Sequence, residues 1–299
     1  MLPTQNRYGW SPIVKRQDYS WPGGKRLALY VITNIEYFAF LAGDVALDNA
    51  VVNAPPTQRN YAWRDYGNRV GIWRLLRLFD DLGLPAAHNV NSLLYEHHPE
   101  IFEAIRHRGD EIVGHGRTNS ELVAGKWEHD EARIIREATD TIARHEGRPP
   151  RGWLNGSGPQ TEATLDLLKE AGYLYMMDWP CDDQPIWMRT RAGPMLSVPY
   201  SFEVNDTIAA IRRRHSGREF ADMIVDQFEE MAEQCLEQPL VCSIPLHPFV
   251  VAQPFRLRPL RQALKHCLEH KCRDRVWVTR PGDIADYCYR LPPGVIPSG

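Results

Sequence analysis

The sequence is short of the features that assign a protein quickly. No apolar run approaches the roughly 18 residues that a membrane-spanning helix needs, which argues against a membrane as partner. Neither sign of charge dominates: 35 Lys and Arg face 38 Asp and Glu, for a formal net charge of −3. That leaves no broad basic field to attract nucleic acid. The opening stretch MLPTQNRYGWSPIVKRQDYSW lacks the unbroken apolar core of a signal peptide. Cysteine is sparse and irregularly spaced, at Cys181, Cys235, Cys242, Cys267, Cys272 and Cys288. With no CxxC pair to suggest zinc and no small secreted frame to need disulfides, these read as reduced thiols of a cytoplasmic protein. Repeats, low-complexity tracts and linkers are also missing, so one domain is expected over residues 1–299, with residues 1–20 as an N-terminal extension.

What the sequence does have is alternation. Strand-length apolar runs recur at RLALYVIT, LPAAHNVN, DEIVGHG, PPRGWLNG, YLYMMDW, MLSVPYS, LVCSIPL and RVWVTRP. Between them lie stretches with helical spacing, such as Ile72, Leu75, Leu76 and Phe79 at i, i+3, i+4 and i+7. The segments HHPEIFEAIRHRG and EHDEARIIREATDTIARHEG each end on glycine, as helices commonly do. Strands alternating with helices imply a parallel sheet, doubly wound or closed into a barrel.

Polar residues follow the strands. Glu36 comes after the first, Asn89 and Asn91 end the second, and His115 and Asn119 follow the third. Trp153 and Asn155 end the fourth, Asp178, Asp182 and Asp183 follow the fifth, Glu203, Asn205 and Asp206 the sixth, and His247 ends the seventh. Groups at strand C-termini collect on one rim of a barrel, where such folds keep their active sites. Taken singly, each is equally well a solvated loop residue or a helix cap.

These stretches, together with WPGGKRLALYVITN, YGNRVGIWRLLRLFDDLGLP, GWLNGSGPQT, DDQPIW, PYSFEVND and LHP, resemble the polysaccharide deacetylase superfamily, and within it the cofactor-independent allantoinase branch. The resemblance implies a distorted (β/α) barrel of about seven parallel strands. Deacetylases of this family carry an Asp-Asp pair after strand one and His-x-x-x-His after strand three. The first Asp is a general base, and the second Asp with both His holds a divalent metal. The matching positions here are Glu36 and Tyr37, then His115 and Asn119. The base is kept as a longer carboxylate, while Tyr and Asn replace two ligands and are poor partners for zinc. The allantoinase branch has Glu-Glu-Gly where this chain has Glu36-Tyr37-Phe38. Assembly into a homo-oligomer is a further expectation of that resemblance.

Opening an amide needs an activated water, a hold on the developing oxyanion and an acid for the departing nitrogen. Without a metal, an ordinary acetamide is a poor substrate because its nitrogen leaves badly. A cyclic imide or ureide is easier, since its second carbonyl stabilises the nitrogen anion. The expected activity is therefore hydrolysis of a non-peptide C–N bond in a small cyclic amide, an allantoin-like ureide or a cyclic imide, with no cofactor. Glu36 is the expected base, its pKa raised by Ile35 and Phe38, although a carboxylate paired to arginine as scaffold reads equally well from the strand position alone. His247 matches the family's late His and is the expected acid. His115, between two glycines, is an oxyanion donor or the remnant of a metal site.

Asn119, Trp153 and Asn155, the last two before the turn GSGP, are candidate substrate contacts. So are Asp182, Asp183 and Trp187 of the DDxPxW loop, and Asn205. Asp183 serves equally as a turn cap. Arg64, in a shaped loop before the first long helix, would clamp a carboxylate or pair with Asp65. His88 is either a specificity determinant or a satisfied strand-end residue. IRRRHSGRE, residues 211–219, reads as a solvated helix approach. Two alternatives stand beside the leading one: a zinc-type deacetylase using Glu36, His115 and His247 as ligands, and a barrel that binds a ligand without turnover.

Overall fold

The structure, a computed structural model, describes residues 4–41, 57–156 and 158–298; Ser157 of the GSGP turn lies outside them. Nine strands form one sheet: β1 (Leu27–Ile35), β2 (Ala86–Val90), β3 (Glu111–Gly114), β4 (Gly152–Trp153), β5 (Tyr175–Met176), β6 (Ile186–Met188), β7 (Met195–Ser197), β8 (Leu240–Leu246) and β9 (Val276–Val278). Their order is β6-β7-β5-β4-β3-β2-β1-β8, with β9 paired to the start of β1. All pairings are parallel except β6 with β7. The barrel is thus distorted and open between β6 and β8, with more strands than the seven expected. β9 answers the run RVWVTRP, and the strand that no run announced is β6, which forms from the DDQPIW stretch and pairs antiparallel with β7.

β1 is buried along its whole length, as a central parallel strand should be. Its two faces serve different cores. Leu27, Leu29 and Val31 pack outward with Phe79, Phe228 and Leu264. Ala28, Tyr30 and Ile32 point the other way, with Val113, Tyr175, Met177 and Val241. Trp21 and Ile284 belong to that inner cluster, and the Trp21 indole donates to the Leu240 carbonyl at 3.0 Å. These groups fill the barrel from the N-terminal side of its strands.

Register positions the site. Ile35 pairs with Val90, Val90 with Gly114, Gly114 with Trp153, Trp153 with Met176, and Met176 with Ser197. The strands therefore end in one row, and the residues just beyond it (Glu36, Asn91, His115, Asn155, Asp178) emerge together.

The helices follow the periodic segments: Ile72–Leu82, Pro99–Arg108, Glu128–Glu146, Thr164–Glu170, Gly217–Gln234, Pro254–Glu269 and Pro281–Cys288. One more was read as a loop. Gln58–Tyr66 is helical, capped by the Thr57 side chain accepting from the Asn60 amide, and runs through a π turn at Gly67–Gly71 into Ile72–Leu82. Its weak amphipathicity hid it from periodicity. The two glycines have a steric purpose: a Cβ at Gly71 would lie 2.3 Å from the Pro248 carbonyl oxygen, and one at Gly67 would lie 3.0 Å from the Phe249 nitrogen. Their absence lets this helix pack directly on the segment that follows His247.

Candidate active site

A cavity of about 470 Å³ opens at the C-terminal row of strands, lined by Glu36, Arg64, His115, Asn119, Asp178 and His247 among others. Glu36 is its centre. Its Oε1 accepts from the Asn119 amide at 2.5 Å and lies 3.8 Å from His115 Nε2 and 3.7 Å from His247 Nε2.

The orientation of Asn119 is fixed by a neighbour. Asn91 Nδ2 donates to the Asn119 oxygen at 3.0 Å and to the His115 carbonyl at 2.6 Å, while Asn91 Oδ1 accepts from the Tyr37 amide at 2.8 Å. The acceptor end of Asn119 is thereby occupied, and its nitrogen must face Glu36. His115 is fixed in the same manner: Nδ1 donates to the Leu154 carbonyl at 2.7 Å, which turns Nε2 toward Glu36. That Nε2 has no hydrogen-bond partner among the described residues. His247 is held by Asp206, whose Oδ1 meets Nδ1 at 2.7 Å while Oδ2 accepts from the His247 backbone amide, also at 2.7 Å.

The electrostatics correct one expectation. Burial pushes the Glu36 carboxyl up, but His115, His247 and Arg64 outweigh it and hold the group below its ordinary value. The apolar neighbours on which the raised value was expected are present; the three basic groups were not foreseeable as a set. For His247, burial disfavours the charged ring, yet the carboxylates of Asp206 and Glu36 prevail and raise its pKa. Asp178 has no compensating cation: burial lifts it to about 7, against a single hydrogen bond from the Asn155 amide. Its Oδ2 is buried without a partner.

Arg64 reaches the cavity from its helix with the guanidinium carbon 4.9 Å from the Phe38 ring centroid and 4.3 Å from that of Phe249. Burial lowers it to about 10, still a cation at neutral pH. The pairing with Asp65 does not form; Asp65 lies 3.8 Å from Arg69 instead.

Other candidates sit elsewhere or do structural work. Asn155 lines the cavity, but its side-chain amide donates to the Gly158 and Pro159 carbonyls and shapes its own turn. Asn205 lines it too, with Oδ1 accepting from the Thr207 amide and hydroxyl. Trp153 is in the outer core, edge-on to Tyr173, and is not part of the cavity wall. Strand alternation turns it outward from the neighbouring Leu154. Asp182 binds Arg16 of the N-terminal segment, 2.7 Å from Nη1, and Trp187 packs edge-on against Tyr289 at 4.8 Å. Asp183 is exposed, beside a neighbouring cleft. The DDxPxW stretch thus fastens the two chain ends to the barrel. His88 is wholly buried between Thr33, at 2.6 Å, and Asp110, at 3.0 Å, outside the cavity.

Sequence reasoning left Asp178 as an unassigned rim residue, named Asp206 only as a lesser candidate beside Asn205, and passed over Tyr200 and Arg212, all at or beside the site. Arg212 comes from the basic stretch read as solvated, and it lines the cavity. Only the 41-residue separation between Asp206 and His247 kept that pair from being recognised.

The donor set does not suit the metal that deacetylases use. Tyr37 stacks on His97, with ring centroids 4.5 Å apart. Asn119 turns its nitrogen, which cannot ligate, toward the centre. Glu36, His115 and His247 also fail to bring one ligand atom each within 4.8 Å of one another, unlike the trio Glu229, His266 and His270 on the surface.

Fold and site together define a distorted barrel with a cavity lined by ionisable groups at the strand C-termini. Residues 59–176 match the polysaccharide deacetylase family model. The chain is 27% identical over 302 residues to a protein of Schizosaccharomyces pombe named "Putative polysaccharide deacetylase", covering 95% of this chain and 90% of that one. Among solved structures it is similar to PuuE allantoinase, with TM-score 0.84 and 26% identity over 95% of this chain and 98% of that one. It is equally similar to a "probable Polysaccharide deacetylase" of Pseudomonas aeruginosa, with TM-score 0.82 and 26% identity over 95% and 99% of the two chains.

Proposed function

We propose that the protein opens the ring of a small cyclic amide, an allantoin-like ureide or cyclic imide, by hydrolysis that needs no metal. The observation that carries this reading is the exchange at the centre of the site. An amide NH₂, from Asn119, contacts the general-base carboxylate at the position where deacetylases place a metal-binding imidazole.

A water about 2.8 Å from both Glu36 Oε1 and His115 Nε2 closes a triangle on their 3.8 Å separation, donating one hydrogen to each. His115 is then a water-positioning group. The oxyanion role expected of it would need a second proton on the ring. Glu36 takes a proton as the water oxygen attacks the ring carbonyl. The buried Arg64 cation would stabilise the oxyanion, which is the task a metal performs elsewhere. As the C–N bond breaks, protonated His247 gives its proton to the departing nitrogen. Glu36, 3.7 Å away, returns the proton it took, so both groups are restored. The products are the ring-opened carboxylic acid, which releases its proton to solvent, and an N–H.

A carboxylate held below its ordinary pKa is a weak base. That favours an activated substrate, in which a second carbonyl supports the leaving nitrogen, over a plain acetamide. The cavity of about 470 Å³ also lies within the range of small-molecule sites.

The test is a ring-opening assay of chelator-treated protein on allantoin, hydantoin, dihydrouracil and succinimide, with acetylated chitin oligomers as the deacetylase control. Metal-free turnover of one ring, reduced about 10²–10⁴-fold in Glu36→Gln, supports the proposal. Silence on every ring, with deacetylation appearing only after a divalent metal is restored, overturns it.

A further inference from the structure

Far from the cavity, the helices Gly217–Gln234 and Pro254–Glu269 pack side by side, and their outer face carries a group of side chains that the proposed reaction does not use. Glu229 stands on the first helix. His266 and His270 stand on the second, one turn apart, so both rings project from the same face. The Glu229 Oε1 lies 2.8 Å from His266 Nε2 and 3.8 Å from His270 Nε2. The three ligand atoms all fall within 4.8 Å of one another, the one such trio of His, Cys, Asp or Glu among the described residues.

We propose that Glu229, His266 and His270 form a divalent-cation site of the zinc class that ties these two helices together. Two imidazoles and one carboxylate are a ligand set that zinc accepts, with a solvent-facing position left for water. Ligand bonds of about 2.0–2.1 Å in tetrahedral geometry put neighbouring donor atoms about 3.3–3.4 Å apart. Glu229 must therefore move about half an ångström away from His266 and about half an ångström toward His270. Side chains that are 47% and 40% exposed, as Glu229 and His266 are, make that adjustment freely.

The surroundings favour the cation in two further ways. His270 is the C-cap of its helix, so the site lies at the negative end of the helix dipole. His270 Nδ1 lies 2.9 Å from Cys272 Sγ and accepts from the Cys272 backbone amide at 3.4 Å, contacts that hold the ring with Nε2 toward Glu229. His270 is also steadied by an edge-on contact with Phe228, centroids 5.6 Å apart. Of the two lysines that flank these histidines in sequence, Lys265 and Lys271, the first is turned to Glu269 at 3.7 Å.

The experiment titrates Zn²⁺ into the chelator-stripped full chain by calorimetry, with Co²⁺ absorption reporting the coordination number. Expected is one equivalent bound, weakened about 10–100-fold or lost in His266→Ala, weakened also in Glu229→Gln, and unchanged in Glu36→Gln. The ion should raise the melting temperature of the parent and not of His266→Ala, while ring opening continues in that variant. No stoichiometric binding, or binding that survives both surface substitutions but disappears in Glu36→Gln, overturns the proposal; the second result would place the ion in the cavity instead.

Discussion

In the proposed reaction, Glu36, His247 and Asp206 show how much depends on single protonation states. Asp206 and Glu36 raise the His247 pKa against its burial, so the imidazole keeps its proton, and its competence as an acid, above the ordinary value for histidine. The sign for stability follows: this contribution is complete below the unfolded pKa and is lost as pH rises through the folded one. Asp206→Asn removes the larger of the two carboxylate effects. The alkaline limb of the pH–rate profile should then move to lower pH, with the rate at neutral pH falling about 10-fold or more. A profile whose limb stays in place would show that another group is the acid.

Asp178 behaves oppositely. Its pKa of about 7 lies above the unfolded value, so between about pH 4 and pH 7 the folded state holds a proton that the unfolded chain releases. Stability falls across that window and is flat above it. Asp178→Asn keeps an acceptor for the Asn155 amide and removes the buried charge. It should stabilise the protein at pH 8 by on the order of a few kcal/mol and change little at pH 4, which melting curves at the two values would show.

At the scale of elements, the π turn at Gly67–Gly71 is the joint between Arg64 and His247. Gly71→Ala puts a methyl 2.3 Å from the Pro248 carbonyl oxygen, a backbone atom that cannot swing aside. The expected cost is about 1–3 kcal/mol in stability. Because Pro248 follows His247 directly, kcat should fall even at temperatures where the variant is fully folded. Activity per folded molecule, measured alongside circular dichroism, separates the two effects. The same region shows where sequence reading fails. Helices with a clear apolar stripe, such as Ile72–Leu82, were legible from spacing, and so were the strands buried on both faces. Gln58–Tyr66 has little stripe to read, because one side serves the cavity. The strand β6 is three residues long and owes its form to β7 and the C-terminal segment rather than to its own pattern.

Across the whole molecule, stability and chemistry occupy opposite ends of one barrel. Trp21, 1% exposed, fills the N-terminal end, and Trp21→Ala should cost about 3–5 kcal/mol while leaving kcat of the folded fraction unchanged. Parallel kcat and melting measurements check this, and a matched loss of both would couple the two ends. The division explains what could be foreseen of the site. Which residues reach the rim was legible, since each follows a strand and the strands end in register. Which of them face inward was not. Trp153 sits beside the rim yet belongs to the outer core, and Asp182 is claimed by Arg16 of a distant segment. Pairings such as His247 with Asp206 exist only once the sheet has curled.

The Asn91–Asn119–Glu36 relay also sets how this protein ages. Side-chain amides hydrolyse slowly in any long-lived protein, and at Asn119 that change replaces a donor with an acid 2.5 Å from Glu36. Two carboxylates so close share one proton, and Glu36 would no longer stand ready, ionised, beside its water. An old molecule would keep its fold and nearly its exact mass, and would have lost the proposed activity.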